Sequence, residues 1–185
     1  MALTETPICN FGETAHPFRL PDASGRPWTL EDVRGPKGLL VMFICNHCPY
    51  VKAIMPKLVR DTQALCVMGV GSVAIMPNDF HAYPDDAPEQ MLATSQVWGF
   101  EFPYLVDESQ AVAKAYGAVC TPDFFGYNAA LELHYRGRLD SARADPDVDD
   151  APRELFIAMQ QIARTGQGPK EQSPSMGCSI KWRTS

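Results

Sequence analysis

One stretch of the chain changes from strand-like to helix-like character within five residues, and it constrains the fold more than any other feature. The run Leu39–Ile44 is continuously apolar, which is typical of a strand buried on both faces. From Pro49 to about Leu65, apolar residues recur at the spacing of one helical face. We therefore expect residues 45–48 to form a loop after the carboxyl end of a core strand, where open α/β sheets bind ligands.

The rest of the chain alternates between strand-like and helix-like segments. Strands are predicted at 18–20 and 27–30, which form an N-terminal hairpin, and at 70–76, 102–106, 124–127 and 131–135. Helices are predicted at 87–98, 109–116 and 152–164, the last preceded by an acidic loop at 145–150. This order predicts an α/β fold with a mixed central sheet flanked by helices.

The patterns divide the chain into a folded domain, residues 1–165, and a C-terminal tail, residues 166–185. The tail starts rich in Gly, Pro, Ser and Gln but ends with Cys178, Ile180 and Trp182. Because a loose tail normally ends in polar residues, we expect this one to dock on the body of the fold or on a neighbouring subunit.

Composition narrows the classes of partner. The net charge of −6 and the pI near 5.1 argue against nucleic acid or an anionic membrane as a partner. The first residues lack the pattern of a signal peptide, and the longest apolar run is far shorter than the roughly 20 residues of a membrane helix. We therefore expect a cytoplasmic protein with no membrane or nucleic-acid partner.

Two of the six cysteines, Cys45 and Cys48, lie in the loop before the predicted helix. Proline is favoured at the first helical position, so Pro49 predicts that Cys48 is the N-cap, facing free N–H groups and the positive end of the helix dipole. That environment stabilises a thiolate, so we predict that Cys48 attacks and Cys45 resolves. His47 is either a positive charge that lowers a thiol pKa or an ordinary polar loop residue. Cys66, in an apolar stretch, is predicted to be a small buried residue.

Three ordered segments resemble bacterial thioredoxin-like and redoxin proteins of the alkyl-hydroperoxide-reductase/thiol-specific-antioxidant type. They are the N-terminal hairpin at 18–35, the spacing Phe43-(x)4-Cys48-(x)7-Pro56-Lys57-Leu58, and the segment Tyr116–Phe125. The resemblance covers roughly residues 18–162 and implies a thioredoxin-like fold. It also implies thiol–disulfide oxidoreductase activity, with no cofactor and no metal.

The resemblance extends the set of candidate site residues. The family proline that matches Pro122 is cis and packs beside the active-site thiol. Cys120 then falls near the site, either as a redox thiol or as a packed residue, and Cys178 of the tail is a further candidate. The implied substrates are protein or low-molecular-weight disulfides and thiols, with a thioredoxin-type or glutathione reductant.

Departures from the family pattern leave other functions open. In the family register Cys48 matches the nucleophilic cysteine, but Val51 stands where the second cysteine belongs. Peroxiredoxins, which act on hydroperoxides, carry P-x-x-x-T-x-x-C, and here Val41 and Cys45 replace the Pro and the Thr. Those two replacements count against thiol peroxidase activity, whereas the Cys48-Pro49 pair supports it, so this activity is kept as an alternative.

Two further alternatives do not involve redox catalysis. Cys45, His47 and Cys48 could hold a metal ion, with Cys120 or Cys178 as a fourth ligand in a tetrahedral site. A non-enzymatic binding module on the same scaffold is the other alternative, since a fold does not dictate a function.

Overall fold

The computed structural model describes residues 3–142 and 151–184; the acidic stretch predicted as a loop at 145–150 lies outside them. The strands are β1 (Leu3–Glu5), β2 (Arg19–Pro21), β3 (Pro27–Thr29), β4 (Leu39–Phe43), β5 (Gly71–Met76), β6 (Tyr104–Val106), β7 (Cys120–Thr121), β8 (Asp123–Tyr127), β9 (Leu133–Tyr135) and β10 (Met176–Ser179). The helices are α1 (Leu30–Val33), α2 (Pro49–Val67), α3 (Pro88–Trp98), α4 (Ala111–Ala115) and α5 (Glu154–Thr165), with a 3-10 turn at Pro84–Asp86.

The central sheet has five strands in the order β6-β5-β4-β8-β9. Strands β4, β5 and β6 run parallel, whereas β8 is antiparallel to β4 and β9 is antiparallel to β8. The sheet is therefore mixed, as the sequence predicts, and β2 and β3 form the predicted antiparallel hairpin.

The alternation of side chains along β4 divides the core into two layers. Leu40, Met42 and Ile44 pack on the face that carries α2, α3 and α5, and the intervening residues pack on the face that carries α1 and α4. Every residue of β4 is buried, which explains its continuous apolar pattern. The strand thus leads from the middle of the core directly to the loop before α2.

A second sheet, in the order β1-β10-β7, brings the C-terminal segment against that loop. All of its pairings are antiparallel, and Cys178 stands opposite Leu3 on one side and Thr121 on the other. Gly177 permits this close approach, because a Cβ atom there would collide with the carbonyl oxygen of Thr121. The sequence predicts a docked tail, but its composition gives no sign of a strand.

The two large apolar residues of the tail behave differently. Ile180 is buried in the core layer beneath α4, and its N–H donates to the carbonyl of Val119 at 3.2 Å. Trp182 remains 39% exposed, with the Lys114 ammonium 5.6 Å from its ring centre. Ile180 therefore anchors the tail on the body of the fold, as the expectation of a docked tail requires, whereas Trp182 is only partly covered.

The prediction for Cys66 is wrong. The residue lies near the end of α2 and is exposed, because the helical spacing turns it away from the sheet while its neighbour Leu65 is fully buried. In the described part of the chain, no helix is both long and apolar enough to cross a membrane.

Candidate functional site: a three-thiol cluster at the start of α2

Three cysteine side chains meet at the amino end of α2. Cys48 is the N-cap with Pro49 as the first helical residue, as predicted, and its side chain is fully buried. Its Sγ atom lies 3.0 Å from the Sγ of Cys178 and 3.2 Å from the carbonyl oxygen of Thr121. The Sγ of Cys45 lies 3.2 Å from the hydroxyl of the same threonine. Residue 121 therefore contacts both thiols of the loop.

The peptide bond between Thr121 and Pro122 is cis, as expected from the sequence resemblance. Cys120, on the preceding strand β7, is fully buried, and its Sγ lies 3.6 Å from the carbonyl oxygen of Pro122. Burial raises the pKa of Cys120, and the negative charge of Asp123 adds to the effect. These surroundings favour a protonated, packed thiol at position 120.

The surroundings of Cys48 lower its thiol pKa from 9.0 to about 5. The largest effect is the hydrogen bond from the Cys45 thiol, and it acts against desolvation, which opposes ionisation. The pKa of Cys48 is lowered further by the thiol and the N–H of Cys178 and by the N–H of Val51. Cys48 is therefore the thiol of this cluster best suited to react as a thiolate.

The other two thiols are held in the protonated form. The hydrogen bond to Cys48 raises the pKa of Cys45, with burial and the negative charge of Asp86 acting in the same sense. Burial and the contact with Cys48 raise the pKa of Cys178 to about 11, although the positive charge of Lys181 opposes them. The cluster thus combines one thiolate with two thiol donors.

A buried carboxylate, Asp86, holds the loop between the two cysteines. Its Oδ1 accepts the backbone N–H groups of Asn46 at 2.8 Å and His47 at 3.3 Å. Its Oδ2 accepts the side-chain amide of Asn78 at 2.8 Å and lies 2.7 Å from Nδ1 of His47. A carboxylate only accepts, so Nδ1 of His47 carries the proton.

The sequence reasoning missed Asp86, although a signal was present. Asp86 follows β5, the parallel neighbour of β4, and the carboxyl ends of parallel strands meet at one edge of a sheet. His47, a predicted site residue, pairs with Asp86 and stacks on the ring of Tyr83, with ring centres 5.8 Å apart. Its imidazole therefore fixes the shape of the loop.

A metal ion fits poorly among these residues. The nearest set of ligand atoms in the described residues belongs to Cys45, His47 and Asp86, which lie within 4.8 Å of one another. Both oxygens of Asp86 already have hydrogen-bond donors, so a metal ion would have to replace contacts that shape the loop.

A second buried ion pair lies beneath the site at the start of β8. Asp123 is fully buried, and its Oδ2 lies 3.0 Å from Nη2 of Arg136. Desolvation raises the pKa of Asp123, and the guanidinium of Arg136 lowers it; desolvation is the larger effect, so the pKa is about 6. The pair fixes the chain directly after Pro122.

A groove opens on the other side of Pro122. Its walls come from β1, α2, β8, the segment after β9 and the tail. Its apolar lining includes Tyr50, Ile54, Pro122, Phe124, Leu139 and Met176. Arg138, at its edge, is paired with Glu154 at 2.7 Å. The groove gives a ligand an approach to the segment that contacts the thiols.

A mixed sheet in which a strand leads to a cysteine at the start of a helix, beside a cis-proline, defines a protein of the thioredoxin fold. The chain belongs to the AhpC/TSA family, whose model matches residues 11–141. No curated protein matches the chain.

Solved structures share the fold of the chain. An uncharacterised conserved protein from Geobacillus kaustophilus is 41% identical, with a TM-score of 0.94 over 100% of this chain and 98% of that one. A hypothetical protein from Sinorhizobium meliloti 1021 is 39% identical, with a TM-score of 0.92 over 98% of both chains. A secreted disulfide oxidoreductase of Mycobacterium tuberculosis, 21% identical, shares the fold over 63% of this chain and 79% of its own, with a TM-score of 0.54.

Proposed function

We propose that this protein is a thiol–disulfide oxidoreductase in which Cys48 is the attacking thiol. The observation that carries the proposal is the position of Cys48 at the N-cap of α2, with the Sγ of Cys178 only 3.0 Å away. These surroundings lower the pKa of the Cys48 thiol to about 5. A thiolate is the nucleophile in disulfide exchange, so this cysteine is in its reactive form at neutral pH.

The reaction would proceed in two exchange steps. The Cys48 thiolate attacks one sulfur of a disulfide, forming a mixed disulfide and releasing the other half as a thiolate. A second cysteine of the protein then attacks Cys48, releases the remaining half and closes a protein disulfide. Cys45, predicted from the sequence, and Cys178 both lie beside Cys48. In the cytoplasm, the expected compartment, a thioredoxin-type protein or glutathione would reduce this disulfide.

The groove beside Pro122 favours a protein or low-molecular-weight disulfide as substrate. Its apolar lining suits the carbon atoms of an extended peptide, and it ends next to the residue that contacts both loop thiols. Because Cys48 is fully buried, an incoming disulfide must displace part of the cover formed by the neighbouring segments.

A thiol peroxidase is the second candidate, and membership of the AhpC/TSA family favours it. In that reaction the Cys48 thiolate attacks a hydroperoxide oxygen, giving a sulfenic acid and an alcohol. A second thiol condenses with the sulfenic acid, and water leaves.

Parallel assays distinguish the two candidates. Reduction of oxidised glutathione or of a protein disulfide is measured beside consumption of an organic hydroperoxide, each with and without a thioredoxin-type reductant. We expect the disulfide reaction to be the faster one and to be lost in Cys48→Ser, with Cys66→Ser, an exposed cysteine outside the site, as the matched control. If Cys48→Ser retains full disulfide exchange, the proposal is wrong.

A further inference from the structure

The C-terminal strand delivers a thiol to the reactive cysteine. Across 130 sequence positions, β10 brings the Sγ of Cys178 to 3.0 Å from the Sγ of Cys48. A disulfide bond is about 2.05 Å long, so the two sulfurs need to approach by only about 1 Å. Cys178 is 3% exposed, so bulk solvent does not separate the two sulfurs.

Hydrogen bonds couple the position of this strand to the loop that carries Cys48. Just beyond β10, the N–H of Lys181 donates to Oδ1 of Asn78 at 2.9 Å. The amide of Asn78 donates in turn to Asp86, which holds the N–H groups of the loop. The strand is also paired with β1 and β7 on its two sides. The facing thiols therefore belong to one connected, buried network.

We infer that Cys178, delivered by β10, is the thiol that resolves the mixed disulfide on Cys48. The inference rests on the proposed function and adds the second thiol to it. Once Cys48 has attacked a substrate disulfide, the Cys178 thiolate attacks the Cys48 sulfur. The Cys48–Cys178 bond forms, the bond from Cys48 to the substrate sulfur breaks, and the substrate leaves as a thiolate that takes up the proton of Cys178. The substrate disulfide gains two electrons, and the two protein thiols lose them.

The charges around the two competing thiols favour Cys178 over Cys45. In the mixed disulfide Cys48 carries no charge, so it no longer raises the pKa of the Cys45 and Cys178 thiols. Cys45 then still faces the negative charge of Asp86, whereas Cys178 faces the positive charge of Lys181. Since the attacking species is a thiolate, Cys178 forms it more readily.

Peptide mapping separates the two disulfides without any substitution. Trypsin leaves Cys45 and Cys48 together in peptide 38–52 and Cys178 in peptide 171–181. After oxidation of the wild-type protein with limiting oxidised glutathione, we expect the two peptides to be joined. A Cys45–Cys48 disulfide would instead leave peptide 38–52 alone and lighter by two hydrogens.

Variants test the step itself, in a Cys66→Ser background at mildly alkaline pH. The substrate is an aromatic disulfide whose released thiolate is coloured, so each exchange step releases one equivalent of colour. Cys178→Ser should still give the first release, from attack by Cys48. It should lose the second and accumulate the mixed disulfide on Cys48. Cys45→Ser should still release both. Cys48→Ser, the control, should lose both.

The outcomes distinguish the inference from the proposed function. If the wild-type protein gives only the bond within peptide 38–52, and Cys178→Ser still releases the second thiolate, Cys178 is not the resolving thiol and the proposed function stands. If Cys48 forms no mixed disulfide at all, both are wrong. The wild-type map decides the inference even where Cys178→Ser folds poorly.

Discussion

Replacing Cys45 with alanine should raise the pKa of Cys48, because the Cys45 thiol provides the largest of the effects that lower it. A hydrogen bond to a charged group contributes about 1.5–3 kcal/mol. About 1.4 kcal/mol corresponds to one pH unit, so losing this donor should raise the midpoint by about one to two pH units. From the wild-type value of about 5, the Cys48 thiolate would then form close to neutral pH. The helix N-terminus and Cys178 remain and keep the pKa below 9.0.

The measurement is the ultraviolet absorbance of the thiolate during a pH titration of the reduced protein. Subtracting the same titration of Cys48→Ser isolates the signal of this residue. Cys66→Ala is the matched control and should leave the midpoint unchanged, since it removes an exposed thiol at the far end of α2. An unchanged midpoint in Cys45→Ala, or a wild-type midpoint near 9.0, would refute the reasoning.

Three further substitutions test the framework around the thiols. Asp86→Asn replaces one carboxylate oxygen with an NH2 donor, so either the loop N–H groups or the side chains of Asn78 and His47 lose their acceptor. The substitution should cost about 1–3 kcal/mol of stability and slow disulfide exchange, whereas the exposed Asp85→Asn should do neither; denaturant unfolding and the exchange assay measure both. Arg136→Met leaves the buried carboxylate of Asp123 without its positively charged partner. In urea at neutral pH it should lower the free energy of unfolding by about 3–5 kcal/mol, and a decrease below 1 kcal/mol would contradict this. Ile180→Ala should cost about 2–5 kcal/mol in the same assay, and an unchanged unfolding midpoint would show that the tail is not anchored there.

The sequence predicts the central part of this site because local rules determine it. A buried strand, a proline at the first helical position and the cysteine before it are all encoded within eleven residues, and the structure has each of them where the pattern indicates. The cis bond before Pro122 is a different case, since only the resemblance to a family predicts it.

What the sequence does not reveal depends on contacts between distant segments. Asp86 resembles any acidic residue in a loop until the parallel pairing of β4 and β5 brings it under the cysteines. Strand β10 has a sequence, Met-Gly-Cys-Ser, with little strand propensity, and it forms because β1 and β7 supply partners on both sides. Tertiary context overrides local preference in both cases.

Through the proposed Cys48–Cys178 disulfide, the long chain separation between the two cysteines would link redox state to folding. In the chain-entropy model, a bond between them closes a loop of about 130 residues and stabilises the folded state by about 5 kcal/mol, against about 2 kcal/mol for a bond across the few residues from Cys45 to Cys48. The oxidised protein should therefore resist unfolding more than the reduced one. When a partner reduces the Cys48–Cys178 disulfide, the covalent tie between β10 and the loop before α2 is broken. The chain would then return to a less stable state in which β10 separates more easily from its neighbours.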